Sequence, residues 1–288
     1  MNNNYENTLF KTNYSINIKG KLTDFSTVKI MAIVNLTSDS FYEGSRIKDE
    51  KILFKKVEDF LAAGSEFIDI GAFSSRPGSR LITEEEERNI LFPTLEKLVQ
   101  SFPKAIFSID TYRSSIAHEA VQIGASLIND ISAGRYDEQM FETIAKLKVP
   151  YIIMHMQGDP QNMQNDPTYE NVFTEVFQFF TKKISTLVKM GVNDIIIDPG
   201  FGFGKSLSHN YQLLKKLSYF HALDVPILVG LSRKGMIQKV IHSTAENALN
   251  GTSAAHTLAA LNGANIIRVH DPKEAKEVLQ IVDYYQKQ

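Results

Sequence analysis

The chain of 288 residues is 43% hydrophobic and 22% charged, with a formal net charge of −2 and no cysteine. This composition is typical of a folded protein with a large core. It excludes disulfides and thiolate chemistry, and the lack of a basic run argues against a nucleic-acid partner. No signal-like N-terminal segment and no apolar run near the roughly 18 residues of a transmembrane helix occur. We therefore expect a cytoplasmic protein with no membrane partner.

The first predicted element is a short hairpin in the N-terminal segment, residues 1–27. The stretch YSINIKGKLTDFS has two short strand-like halves that meet at Gly20, and a glycine suits the tight turn of a hairpin. We expect this hairpin to cap the fold that follows. No Gly/Ser-rich linker divides the remaining chain, so residues 28–288 are predicted to form one domain.

Eight short apolar runs follow the hairpin, with helical patterns between them. The runs are apolar along nearly their whole length, which is typical of parallel strands buried on both faces. They are VKIMAIVNL, EFIDIGA, AIFSID, SLINDIS, PYIIMHM, DIIIDPG, VPILVGLS and NIIRVHD, and they begin at residues 28, 66, 105, 126, 150, 194, 225 and 265.

The intervening segments carry helix start and stop signals. Thr83 precedes four glutamates and is a predicted N-cap, while Gly124 and Gly191 follow amphipathic stretches that they are expected to end. The last helix is PKEAKEVLQIVDYYQ, at the end of the chain. Eight such β-α units predict an α/β fold, a single-domain (β/α)8 TIM barrel. A doubly wound sheet is the alternative that the spacing leaves open.

Polar side chains lie where the predicted strands end, which in a barrel is the functional face. Each has a structural alternative: Asp110 suits a helix cap, Asn129 an internal hydrogen bond, and His155 a packed core position. Arg268 and His270 alternate along the last strand and so point to the same side. They predict an anion pocket, with a surface salt bridge as the alternative.

The glycine-rich stretch DPGFGFGKS is not a nucleotide-binding loop. Pro199 stands where a Walker A motif requires its first glycine. We expect instead a loop whose backbone lies close to a ligand, with Phe203 covering it. No His or carboxylate spacing predicts a protein-held transition metal, whereas Mg2+ on a phosphorylated substrate needs only one or two protein oxygens.

Several segments together resemble dihydropteroate synthase, a family of pterin-binding enzymes. They are NLTSDSF, SSRPG, SIDTYR, NDIS, MHMQGDPQNMQ, DPGFGFGK, GLSRK and RVHD, in this order from about Val28 onward. The resemblance implies a (β/α)8 barrel and a transferase of folate biosynthesis, the target of sulfonamides. It implies condensation of a dihydropterin-6-ylmethyl diphosphate with 4-aminobenzoate, with Mg2+ as cofactor, pyrophosphate as the leaving group and a homodimer as the assembly.

The resemblance also implies roles for residues at the carboxyl ends of the strands. Pterin-binding residues would be Asp110, Asn129, Met154, Asp198 and Lys234. Diphosphate-binding residues would be Asn35, Ser75, Arg268 and His270, with Asn35 also the Mg2+ ligand. Aminobenzoate-binding residues would be Arg76, Pro77, Phe203, Ser232 and Arg233. The catalytic set would be Asn35, Lys234, Arg268 and His270, and Phe41 and Glu43 would lie on a lid loop.

The sequence departs from the family pattern in the loop after the second barrel strand. Ala72, Phe73 and Ser75 replace a glycine, a glutamate and a threonine, and only Ser75 keeps the hydroxyl. One alternative function is a methyltetrahydrofolate-dependent methyltransferase, which resembles this barrel but binds no diphosphate. Another is a pterin-binding paralogue without turnover, which Phe73 leaves open, and a third is a barrel enzyme with an unrelated substrate.

Overall fold

A computed structural model describes residues 14–36, 46–72, 82–159, 163 and 167–288. The strands are β1 (Ser15–Ile18), β2 (Lys21–Asp24), β3 (Lys29–Asn35), β4 (Phe67–Gly71), β5 (Ile106–Asp110), β6 (Leu127–Asp130), β7 (Tyr151–Met154), β8 (Ile195–Asp198), β9 (Leu228–Val229) and β10 (Ile266–Val269). The α-helices are α1 (Arg46–Ala62), α2 (Glu84–Ser101), α3 (Ser114–Ile123), α4 (Met140–Leu147), α5 (Val172–Lys189), α6 (Leu207–Lys215), α7 (Gly235–Ile241), α8 (Leu249–Leu261) and α9 (Pro272–Gln286), and Leu217–Leu223 is a 3₁₀ helix.

Strands β3 to β10 form a parallel sheet that curls into a barrel. Its strand order is β8-β7-β6-β5-β4-β3-β10-β9. The two ends of this order meet at a parallel bridge between Ile197 and Ile227, where the Ile197 N–H donates to the carbonyl of Pro226 at 3.0 Å. The predicted (β/α)8 barrel is confirmed, and each of the eight predicted apolar runs contains one of its strands.

The helix ends follow the predicted capping residues. The Oγ1 of Thr83 accepts from the N–H of Glu86 at 3.1 Å, and the Glu86 carboxylate accepts from the N–H of Thr83 at 2.8 Å, which together form a capping box. Helix α3 ends at Gly124, whose φ of 133° disfavours any residue with a side chain. The seventh unit differs from a simple repeat because two helices, α7 and α8, connect β9 to β10.

The predicted hairpin, β1 with β2, seals the N-terminal mouth of the barrel. Its strands pair from Ser15 with Asp24 to Ile18 with Lys21. We call the apolar group beneath it the hairpin cluster, defined by the buried residues Tyr14, Ile16, Ile18, Phe25, Met31, Phe67, Leu127, Ile152, Ile196, Leu228 and Ile266. The division of the chain at residues 27 and 28 stays a prediction. Among the described helices, none is both long and apolar enough to cross a membrane.

Candidate active site

A cavity of about 520 Å³ opens at the carboxyl ends of the barrel strands. Its walls come from β3, from β10 and from the loops that follow β8 and β9. It brings together seven of the predicted site residues, namely Asn35, Phe203, Ser232, Arg233, Lys234, Arg268 and His270. The predicted placement of Arg268 and His270 on one side of the barrel mouth is therefore confirmed.

Arg268 holds two carboxylates below the cavity. Its Nε donates to Asp69 Oδ2 at 2.6 Å, and its Nη2 donates to Asp110 Oδ2 at 2.9 Å. Asp69 and Asp110 are both buried, so this is an internal ion-pair network and not the surface salt bridge of the alternative interpretation. Asp69 is absent from the sequence-predicted site. The signal for it is a lone carboxylate within the apolar run FIDIG, because a buried charge requires a partner.

Asn129 joins the same network from β6. Its Nδ2 donates to Asp69 Oδ2 at 3.0 Å, so one carboxylate oxygen accepts from both Asn129 and Arg268. Strands β4, β6 and β10 are not neighbours in the sheet, which means that these contacts run through the barrel interior. Asn129 thus has the internal hydrogen bond that its sequence position suggested, at the floor of the site.

Burial raises the pKa values of two carboxyl groups at this end of the barrel, those of Asp110 and Asp198. For Asp110, burial raises the pKa, the Arg268 guanidinium lowers it and the Asp69 carboxylate raises it again. Burial also raises the pKa of Asp198, against the lowering effect of Lys234. The nearby cations therefore decide whether these groups are ionised.

Lys234 and Asp198 form the other wall of the deep site. Lys234 Nζ donates to the carbonyl of Phe201 at 2.6 Å and lies 4.7 Å from the ring centroid of Phe203. Burial lowers the pKa of Lys234 to about 8. A Cβ on Gly230 would lie 3.6 Å from Lys234 Nζ and 3.9 Å from Asp198 Oδ2, so the glycine leaves room for a flat group beside both.

The glycine-rich loop owes its glycines mainly to protein contacts. A Cβ on Gly200 would lie 1.9 Å from the His155 carbonyl oxygen, and one on Gly204 would lie 2.2 Å from that of Gln157. Both glycines have left-handed backbones, with φ of 71° and 61°. Gly202 differs from Gly200 and Gly204 because it lines the cavity. The expectation that the loop backbone approaches a ligand therefore applies to Gly202.

Lys205 fixes this loop from inside. Its Nζ donates to the carbonyls of Gly200 and Phe203 at 2.9 and 3.1 Å, and lies 3.0 Å from His155 Nδ1 and 3.2 Å from the His155 carbonyl. Burial lowers the pKa of Lys205 to about 7. Burial, together with the nearby charge of Lys205, lowers the pKa of His155 to about 2. His155 is thus a packed and satisfied histidine, as one of the sequence interpretations had it.

In the segment after β9, the side chains of Ser232 and Arg233 have different kinds of partner. Ser232 Oγ lies 3.1 Å from His270 Nδ1 and accepts from the His270 N–H at 3.3 Å. The Arg233 backbone is left-handed, with φ of 56°, and its guanidinium pairs with both carboxylate oxygens of Asp271 at 2.8 and 2.9 Å. Its Nη1 donates to the carbonyls of Ala245 and Glu246. The described contacts of the Arg233 guanidinium are therefore with protein groups.

Met154 lies in a small apolar cluster with Ile131, Met156 and Met163, against which Phe203 packs. The remaining predicted residues lie outside the described part of the chain, and the roles assigned to them stay predictions. These are Phe41, Glu43, Ser75, Arg76 and Pro77, together with the departure at Phe73.

Asn35 ends β3 with an exposed side chain at the edge of the cavity. The described residues contain no group of three or more His, Cys, Asp or Glu side chains that could hold a metal ion. One amide oxygen fits a Mg2+ ion that arrives bound to phosphate oxygens, since such an ion keeps most of its ligands from substrate and water.

A barrel with buried carboxylates and an arginine-histidine pair at its mouth matches a known enzyme class. A family model described as pterin binding enzyme matches residues 31–270. The chain therefore belongs to the family of pterin-binding enzymes. Within it, the chain is 39% identical to the dihydropteroate synthase of Escherichia coli K12 over 267 residues, 92% of this chain and 94% of that one.

Solved structures agree with this placement. The dihydropteroate synthase of Yersinia pestis, in a sulfonamide drug complex, superimposes with a TM-score of 0.89 at 38% identity and covers 96% of this chain and 100% of its own. The enzyme of Xanthomonas albilineans, solved with 4-aminobenzoic acid, gives a TM-score of 0.87 at 34% identity, with 96% and 99% covered. The predicted resemblance to dihydropteroate synthase, a transferase, is confirmed.

Proposed function

We propose that this chain condenses (7,8-dihydropterin-6-yl)methyl diphosphate with 4-aminobenzoate and releases pyrophosphate and 7,8-dihydropteroate. The observation that carries the proposal is the arrangement of charge in one site. Buried carboxylates lie on the floor, and Arg268 and His270 lie at the mouth. This arrangement suits a substrate with a flat, donor-rich heterocycle at one end and a polyanion at the other.

The pterin would bind against the deep groups. The carboxylates of Asp110 and Asp198 suit adjacent N–H donors on the edge of a 2-amino-pyrimidine ring, because charge-assisted hydrogen bonds are the strong ones. Lys234, as the proposed donor to the pterin carbonyl and ring nitrogen, lies beside Asp198 across the space that Gly230 leaves. Met154 pairs with Asp198 in the register of β7 and β8 and supplies an apolar surface there. Together these groups would orient the ring.

The diphosphate would bind at the mouth. Arg268 and His270 would stabilise the negative charge that grows on the leaving oxygen as the bond from carbon to diphosphate breaks. Asn35 would bind Mg2+ carried on the diphosphate, and that ion would neutralise part of the same charge. Positioning and electrostatic stabilisation therefore supply most of the catalysis in this proposal.

The 4-aminobenzoate would lie on the Phe203 and Ser232 side of the cavity. Its amine nitrogen forms the new bond to the methylene carbon, the bond from that carbon to the diphosphate oxygen breaks, and the nitrogen loses a proton to solvent. The ring of Phe203 would cover the aromatic substrate, with Ser232 near its carboxylate. The role predicted for Arg233 would require its guanidinium to leave Asp271.

Pyrophosphate release by the purified chain tests the proposal. With both substrates and Mg2+ we expect continuous release, which stops when 4-aminobenzoate is omitted and falls when EDTA removes the metal. Absence of release with all components present would overturn the proposal. Pterin binding without release would identify a non-catalytic paralogue, and methyl transfer from methyltetrahydrofolate would identify the methyltransferase alternative.

The proposed assembly is a homodimer through α8 and α9. These two helices contact each other and expose large hydrophobic side chains, namely Leu258, Leu261, Ile281, Tyr284 and Tyr285. Exposed apolar surface of this extent is typical of interaction sites. Sedimentation of the wild type and of Ile281→Glu tests the assembly: a monomeric wild type would contradict it. The proposed location is the cytoplasm, in keeping with a chain that has no cysteine.

A further inference from the structure

We infer that Asp69 is a positioning residue that fixes which groups Asn129 and Arg268 present to the substrate. The inference rests on the proposed function, and it concerns a residue that does not face the cavity itself. Asp69 lies on β4, is fully buried, and reaches two residues on other strands with a single carboxylate oxygen.

The first consequence concerns the amide of Asn129. An ionised carboxylate only accepts hydrogen bonds, so the amide must turn its Nδ2 toward Asp69, as observed at 3.0 Å. The amide oxygen then faces away from Asp69. Within the described part of the chain this Oδ1 accepts no hydrogen bond and is not fully enclosed. Asn129 is therefore held as an acceptor, which suits the 2-amino group of a pterin.

The second consequence concerns the guanidinium of Arg268. Asp69 takes the Nε hydrogen at 2.6 Å and Asp110 takes a hydrogen of Nη2 at 2.9 Å. These bonds fix the plane of the guanidinium. In the described structure Nη1 has no hydrogen-bond partner and is not fully enclosed, and the residue lines the cavity. Asp69 thus aims the remaining donors of Arg268 toward the position proposed for the diphosphate.

The barrel geometry explains how one residue reaches both groups. In a (β/α)8 barrel, side chains from alternate strands meet in one interior layer. Asp69, Asn129 and Arg268 come from β4, β6 and β10, which are alternate strands in the observed order. The pterin half and the diphosphate half of the site are therefore coupled through one carboxylate oxygen, Asp69 Oδ2.

Asp130 offers a matched control. It is an aspartate on the neighbouring position of β6 and is also fully buried. Its partners are the Tyr151 hydroxyl at 2.6 Å and the N–H groups of Ser132 and Gly134 at 2.7 Å, none of which is a predicted site residue. Asp130→Asn therefore reports the effect of neutralising a buried aspartate that serves the fold alone.

The experiment compares wild type, Asp69→Asn, Asp69→Leu and Asp130→Asn by equilibrium binding of the dihydropterin diphosphate and of its analogue with hydrogen in place of the 2-amino group. Wild type should prefer the amino compound. In Asp69→Asn we expect this preference to fall by about tenfold, because the Asn129 amide can then rotate and exchange the positions of its Oδ1 and Nδ2. Binding of inorganic pyrophosphate should weaken too, and KM for 4-aminobenzoate should stay within about twofold.

Three outcomes separate the possibilities. If Asp130→Asn lowers Tm but keeps the preference for the 2-amino group, and both Asp69 variants lose it, the positioning role is supported. If Asp69→Asn and Asp69→Leu keep the preference and the pyrophosphate affinity, Asp69 serves only the fold and the inference is wrong. If wild type binds neither pterin compound, the proposed function fails before the inference is reached.

Discussion

The two ends of the barrel are built from the same eight strands but have opposite chemistry. At the N-terminal mouth, the hairpin cluster is almost wholly apolar, and the rings of Phe25 and Phe67 stack with centroids 6.5 Å apart. At the carboxyl end, three buried aspartates lie in the same region as two lysines and an arginine. We call this group the charged layer, defined as Asp69, Asp110, Asp198, Lys205, Lys234 and Arg268.

This difference indicates a division of labour along the strands. Burying apolar side chains stabilises the fold at about 25 cal/mol per Å² of surface removed from water. Burying ion pairs commonly contributes little net stability, because desolvation offsets their attraction. The hairpin cluster should therefore supply stability, and the charged layer should supply binding and turnover.

The largest effect is expected for Arg268→Ala. The change removes the donors proposed for the diphosphate, which should lower kcat by about 10²- to 10³-fold. It also leaves Asp69 and Asp110 without their cation, at a cost of about 3–5 kcal/mol in the free energy of unfolding. Pyrophosphate release and urea unfolding at pH 8 measure both effects.

The pH dependence provides the control for Arg268→Ala. The folded-state pKa of Asp110 is raised above its unfolded value, so this group destabilises the fold increasingly as the pH rises through that interval. Without Arg268 the penalty grows. We expect the stability deficit of the variant to shrink between pH 8 and pH 5, and a deficit that stays constant would contradict the ion-pair explanation.

Phe25→Ala tests the contribution of the hairpin cluster, at the N-terminal mouth of the barrel. The side chain is buried in the hairpin cluster, and its removal should lower the free energy of unfolding by about 3–5 kcal/mol. Because the site lies at the opposite mouth, kcat and KM per folded molecule should not change. Denaturant titration together with active-site titration measures this, and a specific loss of turnover would show that the two ends are coupled.

Gly230→Ala should alter binding while leaving the fold intact. The new methyl group would lie in ordinary contact distance of Lys234 Nζ and Asp198 Oδ2, within the space proposed for the pterin. We expect pterin affinity to fall about tenfold, close to 1.4 kcal/mol, and Tm to stay the same or rise slightly.

The smallest effect is expected in the alkaline pH profile. Lys234 has its pKa lowered to about 8 by burial, so it loses its proton, and its donor capacity, as the pH rises past that value. We expect kcat/KM to decline above pH 8 and this decline to disappear in Lys234→Arg. The stability contribution has the opposite sign, because the cost of burying the charged lysine is present below pH 8 and is relieved as the pH rises toward 10.5.

The sequence predicted the barrel well because its signals are local. Each strand is a continuous apolar run, and Asp110 and Asp198 are the buried last residues of β5 and β8. Thr83 and Gly124 marked helix ends through capping chemistry, which depends on a few neighbouring residues. Such features require no knowledge of distant contacts.

The missed features depend on contacts between distant segments. Asp69 is two residues from the end of its strand, and its role arises from β6 and β10. The direction of the Arg233 guanidinium follows from a left-handed backbone and from Asp271, 38 residues later. The sequence predicted an anion pocket at Arg268, but the ion pairs of Arg268 with two buried carboxylates come from other strands and became visible only in the structure.

The barrel closes beside β9, a strand of two residues, and this makes the closure the place where we expect local opening of the sheet. In the described part of the chain, β8 joins the segment of β9 through one bridge, between Ile197 and Ile227, whereas β7 and β8 pair over four residues. Asp198 and Gly230 flank this seam from opposite sides. We expect local opening to begin there, so the amide of Ile197 should exchange with deuterium faster than that of Ile153. A bound pterin would lie between β8 and β9, stabilise the contact between them and slow hydrogen exchange at Ile197.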